Sequence, residues 1–158
     1  MPPRGDAGTF SNQTVFQTGP SDMPTMNHHT ALIYTMILVS AADREMTDAE
    51  MSSIGDIVGH LPIFRDYDRA QIAKTSASCI DILNGKDGLD AVLKKIADSL
   101  PEKLRETAYA LACDVAAADG KVSQEEARLL DMIRFELKVG KLVAAAIERG
   151  ARARHMTL

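Results

Sequence analysis

The sequence predicts an all-α protein: a pseudo-symmetric bundle of about seven helices in which two helix-turn-helix hairpins repeat. Three observations carry that expectation. Aromatic residues are 4% of the 158 and Trp is absent, so a core must come from Ala, Leu, Ile, Val and the eight Met. These are helix formers or adaptable fillers. Apolar positions recur at helical spacing and no segment alternates with a period of two. Finally, a ten-residue pattern occurs twice.

Residues 1–26 are rich in Gly, Pro, Ser, Thr, Gln and Asn without an apolar period, and are expected to form a disordered tail. Residues 27–150 form the expected domain and 151–158 a basic tail. The first helix, about His28 to Ala42, is apolar nearly all round and should be central. The second, Asp48 to His60, stops before Pro62, which disfavours helix in its predecessor. Asp66 or Asp68 is placed to cap the third, which points Ile72, Cys79, Ile80 and Leu83 inward and ends near Asn84-Gly85. Gly88 begins a fourth carrying Leu89, Val92, Leu93, Ile96 and Leu100. Ser99 is read as the cap of the fifth, with Pro101 in its first turn and Leu104, Ala108, Leu111, Ala112 and Val115 as its stripe. The sixth follows Ser123, buries Leu129, Leu130, Ile133 and Leu137, and ends before Gly140. A short seventh, Lys141 to Arg149, is read as capped by Gly150.

Net charge is −4 and unevenly spread: the chain from Lys138 onward carries +4 and the rest −8. An acidic body argues against nonspecific or specific nucleic-acid binding. The basic end is either a solvated tail or a contact for a phosphate, a membrane surface or an acidic partner. Cys79 and Cys113 sit in helical patterns without CxxC or Cys/His spacing, so buried free thiols are expected. MPPRGDAGTF lacks a signal-peptide pattern, and the longest apolar run, Ala31 to Ala42, is too short to span a bilayer. The expected location is cytoplasmic.

The repeat is the most informative feature. AADREMTDAE (Ala41 to Glu50) aligns with AADGKVSQEE (Ala117 to Glu126) at a shift of 76 positions, which carries Asp43 onto Asp119 and Thr47 onto Ser123. The same shift carries Ile54 onto Leu130 and Ile57 onto Ile133. Thr47-x-x-Glu50 and Ser123-x-x-Glu126 are capping boxes, Met46 and Val122 occupy hydrophobic-staple positions, and Gly120 suits a left-handed turn. These roles leave Asp43 and Asp119 unexplained. A carboxylate at a helix C-terminus faces the negative end of the dipole, at a cost of a few tenths of a kcal/mol. Either each Asp begins its turn by bonding a nearby amide, or a bound cation offsets the repulsion.

These residues resemble the TerB motif, an Asp-Gly-x-(apolar)-Ser/Thr-x-x-Glu turn on a helical bundle, over about residues 28–140. The N-terminal domain of the DjlA co-chaperones is similar too. The resemblance implies an all-helical, non-enzymatic module of tellurite and other stress responses that works beside membrane-associated protein partners. It also implies a divalent cation, calcium first. The candidate ligands are Asp119, Glu125 and Glu126 in the second copy, and Asp43, Glu45 and Glu50 in the first. The first copy departs from the motif with Arg44 where Gly is expected. Neither turn is an EF-hand, so calcium affinity should be weak, about 10⁻⁴ to 10⁻³ M.

Catalytic constellations are missing from the sequence. His28, His29, His60 and His155 form no HExxH pair, and His28 and His29 are expected to face solvent. Asn84-Gly85-Lys86-Asp87-Gly88 lacks P-loop spacing and reads as a turn. Two functions remain: a cation-responsive binding module and a metal-independent interaction scaffold.

Overall fold

The computed structural model describes residues 26–42 and 46–158. The disordered tail expected at the N-terminus lies, but for Met26, outside the described residues. Among the described residues seven α-helices make up the bundle: α1 (His28–Ser40), α2 (Asp48–His60), α3 (Ile72–Leu83), α4 (Gly88–Ser99), α5 (Arg105–Ala116), α6 (Gln124–Glu136) and α7 (Lys141–Arg154). Among the described residues there is no strand, and no helix is long and apolar enough to cross a membrane.

α1 is the axis of the bundle. Every residue from Ala31 to Ser40 is buried, as expected for a helix apolar all round. Its two polar members satisfy themselves locally: Thr35 donates to the Ala31 carbonyl at 2.8 Å and Ser40 to that of Met36 at 3.2 Å. α5 packs most extensively against it, with α3 and α4 on its other sides. α2 lies on α5, and α6 contacts both α5 and α1. Asn27 caps α1 by accepting the Thr30 amide at 2.8 Å.

Several local expectations change. α1 ends at Ser40, with Ala41 and Ala42 already in the turn. Ile80 is 40% exposed on α3, where Cys79 is the fully buried residue, because Ile80 lines a surface cleft. Asp68 is the carboxylate that caps, accepting the Ala70 amide at 3.0 Å, and it starts a 3₁₀ turn (Arg69–Gln71) leading into α3. Ser99 does not cap α5 but closes α4; Pro101 precedes a 3₁₀ turn (Glu102–Leu104), and α5 starts at Arg105.

Gly88 is needed for close approach, since a Cβ there would collide with the Leu83 carbonyl oxygen where α3 and α4 meet. Gly150, by contrast, does not end α7. The helix runs to Arg154 because Ala151 is buried on α5 and Arg154 donates to Asp114 Oδ1 at 2.6 Å. That docking outweighs the roughly 1 kcal/mol cost of glycine in a helix. The first four residues of the expected basic tail therefore continue the helix.

Nor do the first histidines simply face solvent. His29 is partly buried against Phe64 and Tyr67, with Nε2 2.6 Å from the Ile63 carbonyl oxygen. His28 lies beside it, with ring centroids 4.1 Å apart. Burial, and then the neighbouring His29, hold the His28 pKa below its ordinary value.

Candidate functional site

The two repeated hairpins are α1 with α2 and α5 with α6, and the turn of the second joins Ala116 to Gln124. α5 ends as the Ala117 amide bonds Cys113 O at 3.0 Å. Gly120 follows in the left-handed region at φ 80°, with its amide on the Ala117 carbonyl. Asp119 is exposed, and its Oδ1 accepts the Lys121 amide at 3.0 Å. That is the turn-initiating role open to an Asp at this position. Ser123 then caps α6 by accepting the Glu126 amide at 3.1 Å.

In the first hairpin the box is reciprocal. Thr47 Oγ1 accepts the Glu50 amide at 3.2 Å, and Glu50 Oε2 accepts the Thr47 amide at 2.8 Å. Asp43, Arg44 and Glu45 lie outside the described residues. Of the six candidate ligands, Asp119 and Glu125 are exposed, whereas Glu50 and Glu126 are buried at the caps of α2 and α6. Among the described residues no three His, Cys, Asp or Glu side chains are grouped as a metal site would require. The staple positions also diverge: Met46 packs on the core, while Val122 is half-exposed.

Two clefts flank these turns. One, of about 1040 Å³, lies between the end of α1 and helices α3, α4 and α6. Its walls are mostly aliphatic, with Glu125, Arg128 and Asn84 as the polar members. The other, of about 810 Å³, lies between the Gly120 turn, α6 and the end of α7. Cys113, Glu148 and His155 line it. Behind it the buried Tyr109 hydroxyl donates to Glu148 Oε1 at 2.5 Å, and Asp114 holds both Arg154 and, at 3.5 Å, His155. Burial, reinforced by Glu148, pushes the Tyr109 pKa upward. Burial likewise pushes both cysteine thiols up to about 12, so they are protonated at neutral pH.

Sequence reasoning placed the caps of α2 and α6 correctly, misplaced those of α5 and α7, and missed the clefts. Arg128, Leu89 and Ile80 come from three different helices, and only packing brings them together. The Asp114 cluster was equally hidden, because its partners are 40 residues away in sequence.

Two hairpins whose second helices are capped by Thr47 and Ser123 define a small α-helical domain, in which no described helix is long and apolar enough to cross a membrane. Residues 29–148 match the family of tellurite resistance protein TerB, and the chain belongs to that family. No curated protein and no solved structure is significantly similar to it.

Proposed function

We propose that the protein is a non-enzymatic, cytoplasmic module of a tellurite-type stress response that binds a divalent cation weakly at its acidic turns and engages a partner protein. The TerB match over residues 29–148 is the observation that carries this reading. The cation is argued from the turn itself. Asp119 uses one oxygen on the Lys121 amide, and the carboxylate together with that of Glu125 is accessible to solvent. Two carboxylates supplemented by water and turn carbonyls suit calcium, which takes six to eight oxygens, at about 10⁻⁴ to 10⁻³ M. Asp43 and Glu45 would add charge from the first copy, while Glu50 and Glu126 set the helix starts.

An amide NMR titration with calcium, then manganese and zinc, tests the cation. Asp119→Asn is the informative variant, because Asn can still accept the Lys121 amide while removing the charge. Saturable shifts confined to residues 43–50 and 119–126 that vanish in the variant support the reading. Absence of a saturable shift up to millimolar metal sinks it.

The second reading is a metal-independent interaction scaffold, similar to the DjlA N-terminal domain. It is favoured by the Asp119–Lys121 bond, which gives this Asp a use without metal. Unchanged binding of a partner to Asp119→Asn would decide for the scaffold.

A further inference from the structure

We propose that the protein forms a two-fold symmetric dimer in which Phe135 of each copy fills the α3–α4–α6 cleft of the other. This goes beyond the cation and stress reading and stands without it.

The argument begins with Phe135, in the last turn of α6. It is 77% exposed, although a phenylalanine has the most to gain from burial, about 150–250 Å² of apolar surface. Phe135 forms part of a shallow recess of about 340 Å³ that shares Arg128 and Met132 with the 1040 Å³ cleft. One continuous face of the molecule therefore carries both an aromatic knob and an aliphatic hole. That placement is what an isologous interface requires, since the same patch must serve both subunits. A knob and a hole on opposite faces would instead build an open chain.

The hole suits a ring. Its walls include Ile80, Leu83, Leu89 and Met132 and no aromatic side chain, and Ile80 is 40% exposed there. Charge fits the same docking. Among the described residues no carboxylate lies within ion-pair distance of Arg128 at the rim of the hole. The recess around the knob holds Asp90, Asp131 and Glu136 together with Arg128 itself and Arg134, which pairs with Asp131 at 3.6 Å. Seating Phe135 in the partner's cleft brings Asp90 and Glu136, which make no ion pair among the described residues, toward the partner's Arg128, and the two-fold axis repeats the pairing. Complementary charge of this kind fixes orientation more than it adds affinity.

The interface is small, so association is expected to be weak and reversible. Sedimentation equilibrium on the full chain should show an average mass climbing from 17.1 kDa toward twice that value as concentration rises from about 10 μM to about 1 mM. Phe135→Ser removes the knob and Ile80→Lys blocks the hole; both should stay monomeric while circular dichroism and Tm remain near wild type. Leu142→Ser is the control, because Leu142 is 85% exposed on α7 but lines neither recess, and it should dimerise normally. Mixing Phe135→Ser with Ile80→Lys is the sharpest arm. Each homodimer has no knob-in-hole contact, but the mixed dimer keeps one, so the mixture should recover association that neither variant shows alone. A monomer at every concentration would overturn the proposal. So would association unaffected by Phe135→Ser and Ile80→Lys, equal loss in Leu142→Ser, or no recovery on mixing.

Discussion

Thr47 and Ser123 begin their helices with the same four-residue pattern, yet the molecule holds the two starts differently. At Thr47 the hydroxyl accepts the Glu50 amide, and Met46 packs on the core just before it. At Ser123 the hydroxyl accepts the Glu126 amide, and Val122 stands half in solvent at the edge of an open cleft. Two turns further on the contrast persists. Ile54 is 1% exposed, and its counterpart Leu130 is 9% exposed and borders the 810 Å³ cleft. A repeated sequence thus supplies the same local hydrogen bonds while tertiary cover decides how much each is worth. Among the described residues, the start of the first repeated helix is covered by the core and that of the second borders solvent.

The largest effect that tests this contrast is in the core. Ile54→Ala should cost about 3–4 kcal/mol by urea unfolding, and Leu130→Ala about 2, because a side chain beside an open cleft leaves less sealed void. Equal or reversed losses would remove the asymmetry. At the caps, Thr47→Ala and Ser123→Ala should each cost about 0.5–2 kcal/mol, with the larger loss at Thr47, where Met46 packs on the core just before the cap. Hydrogen exchange of α2 and α6 amides in the two variants would place each loss on its own helix.

The smallest effect is a pH dependence seated in the first hairpin. His28 starts α1 beside His29 with no acidic residue in the first turn, and its pKa is lowered in the fold. The unfolded chain therefore binds the proton more readily than the folded one. The corresponding stability is complete above the ordinary histidine value of about 6.5 and is lost as pH falls below it. Unfolding at pH 7.5 and 5.5 should show a smaller acid loss in His28→Gln than in wild type. Identical losses would assign the acid sensitivity to other groups.

The helices were legible because their signals are local. The burial of α1 followed from ten consecutive residues without a charge, and the starts of α2 and α6 from hydroxyl-x-x-Glu spacing. The same locality explains the misses. Gly150 looks like a helix stop until Ala151 is seen on α5, and Ser99 looks like a cap until Leu100 is found buried and extended at the end of α4. Of the candidate site, Asp119 was found with both of its possible roles open. Its bond to the Lys121 amide is geometry that no spacing reveals. The clefts depend on side chains from three or four helices, so periodicity within any one helix carries no trace of them.

One feature of α7 bears on motion. Its principal packing partner is α5, and its fastenings there are the Tyr109–Glu148 bond, buried Ala144 and Ala151, and the Arg154–Asp114 pair. A helix attached mainly to one neighbour can detach without dismantling the remainder, as a cooperative unit of its own. Such an opening would bring water to Tyr109 and Cys113 while α1 stayed sealed. The buried Cys113 thiol would report such an opening by its rate of reaction with a thiol reagent.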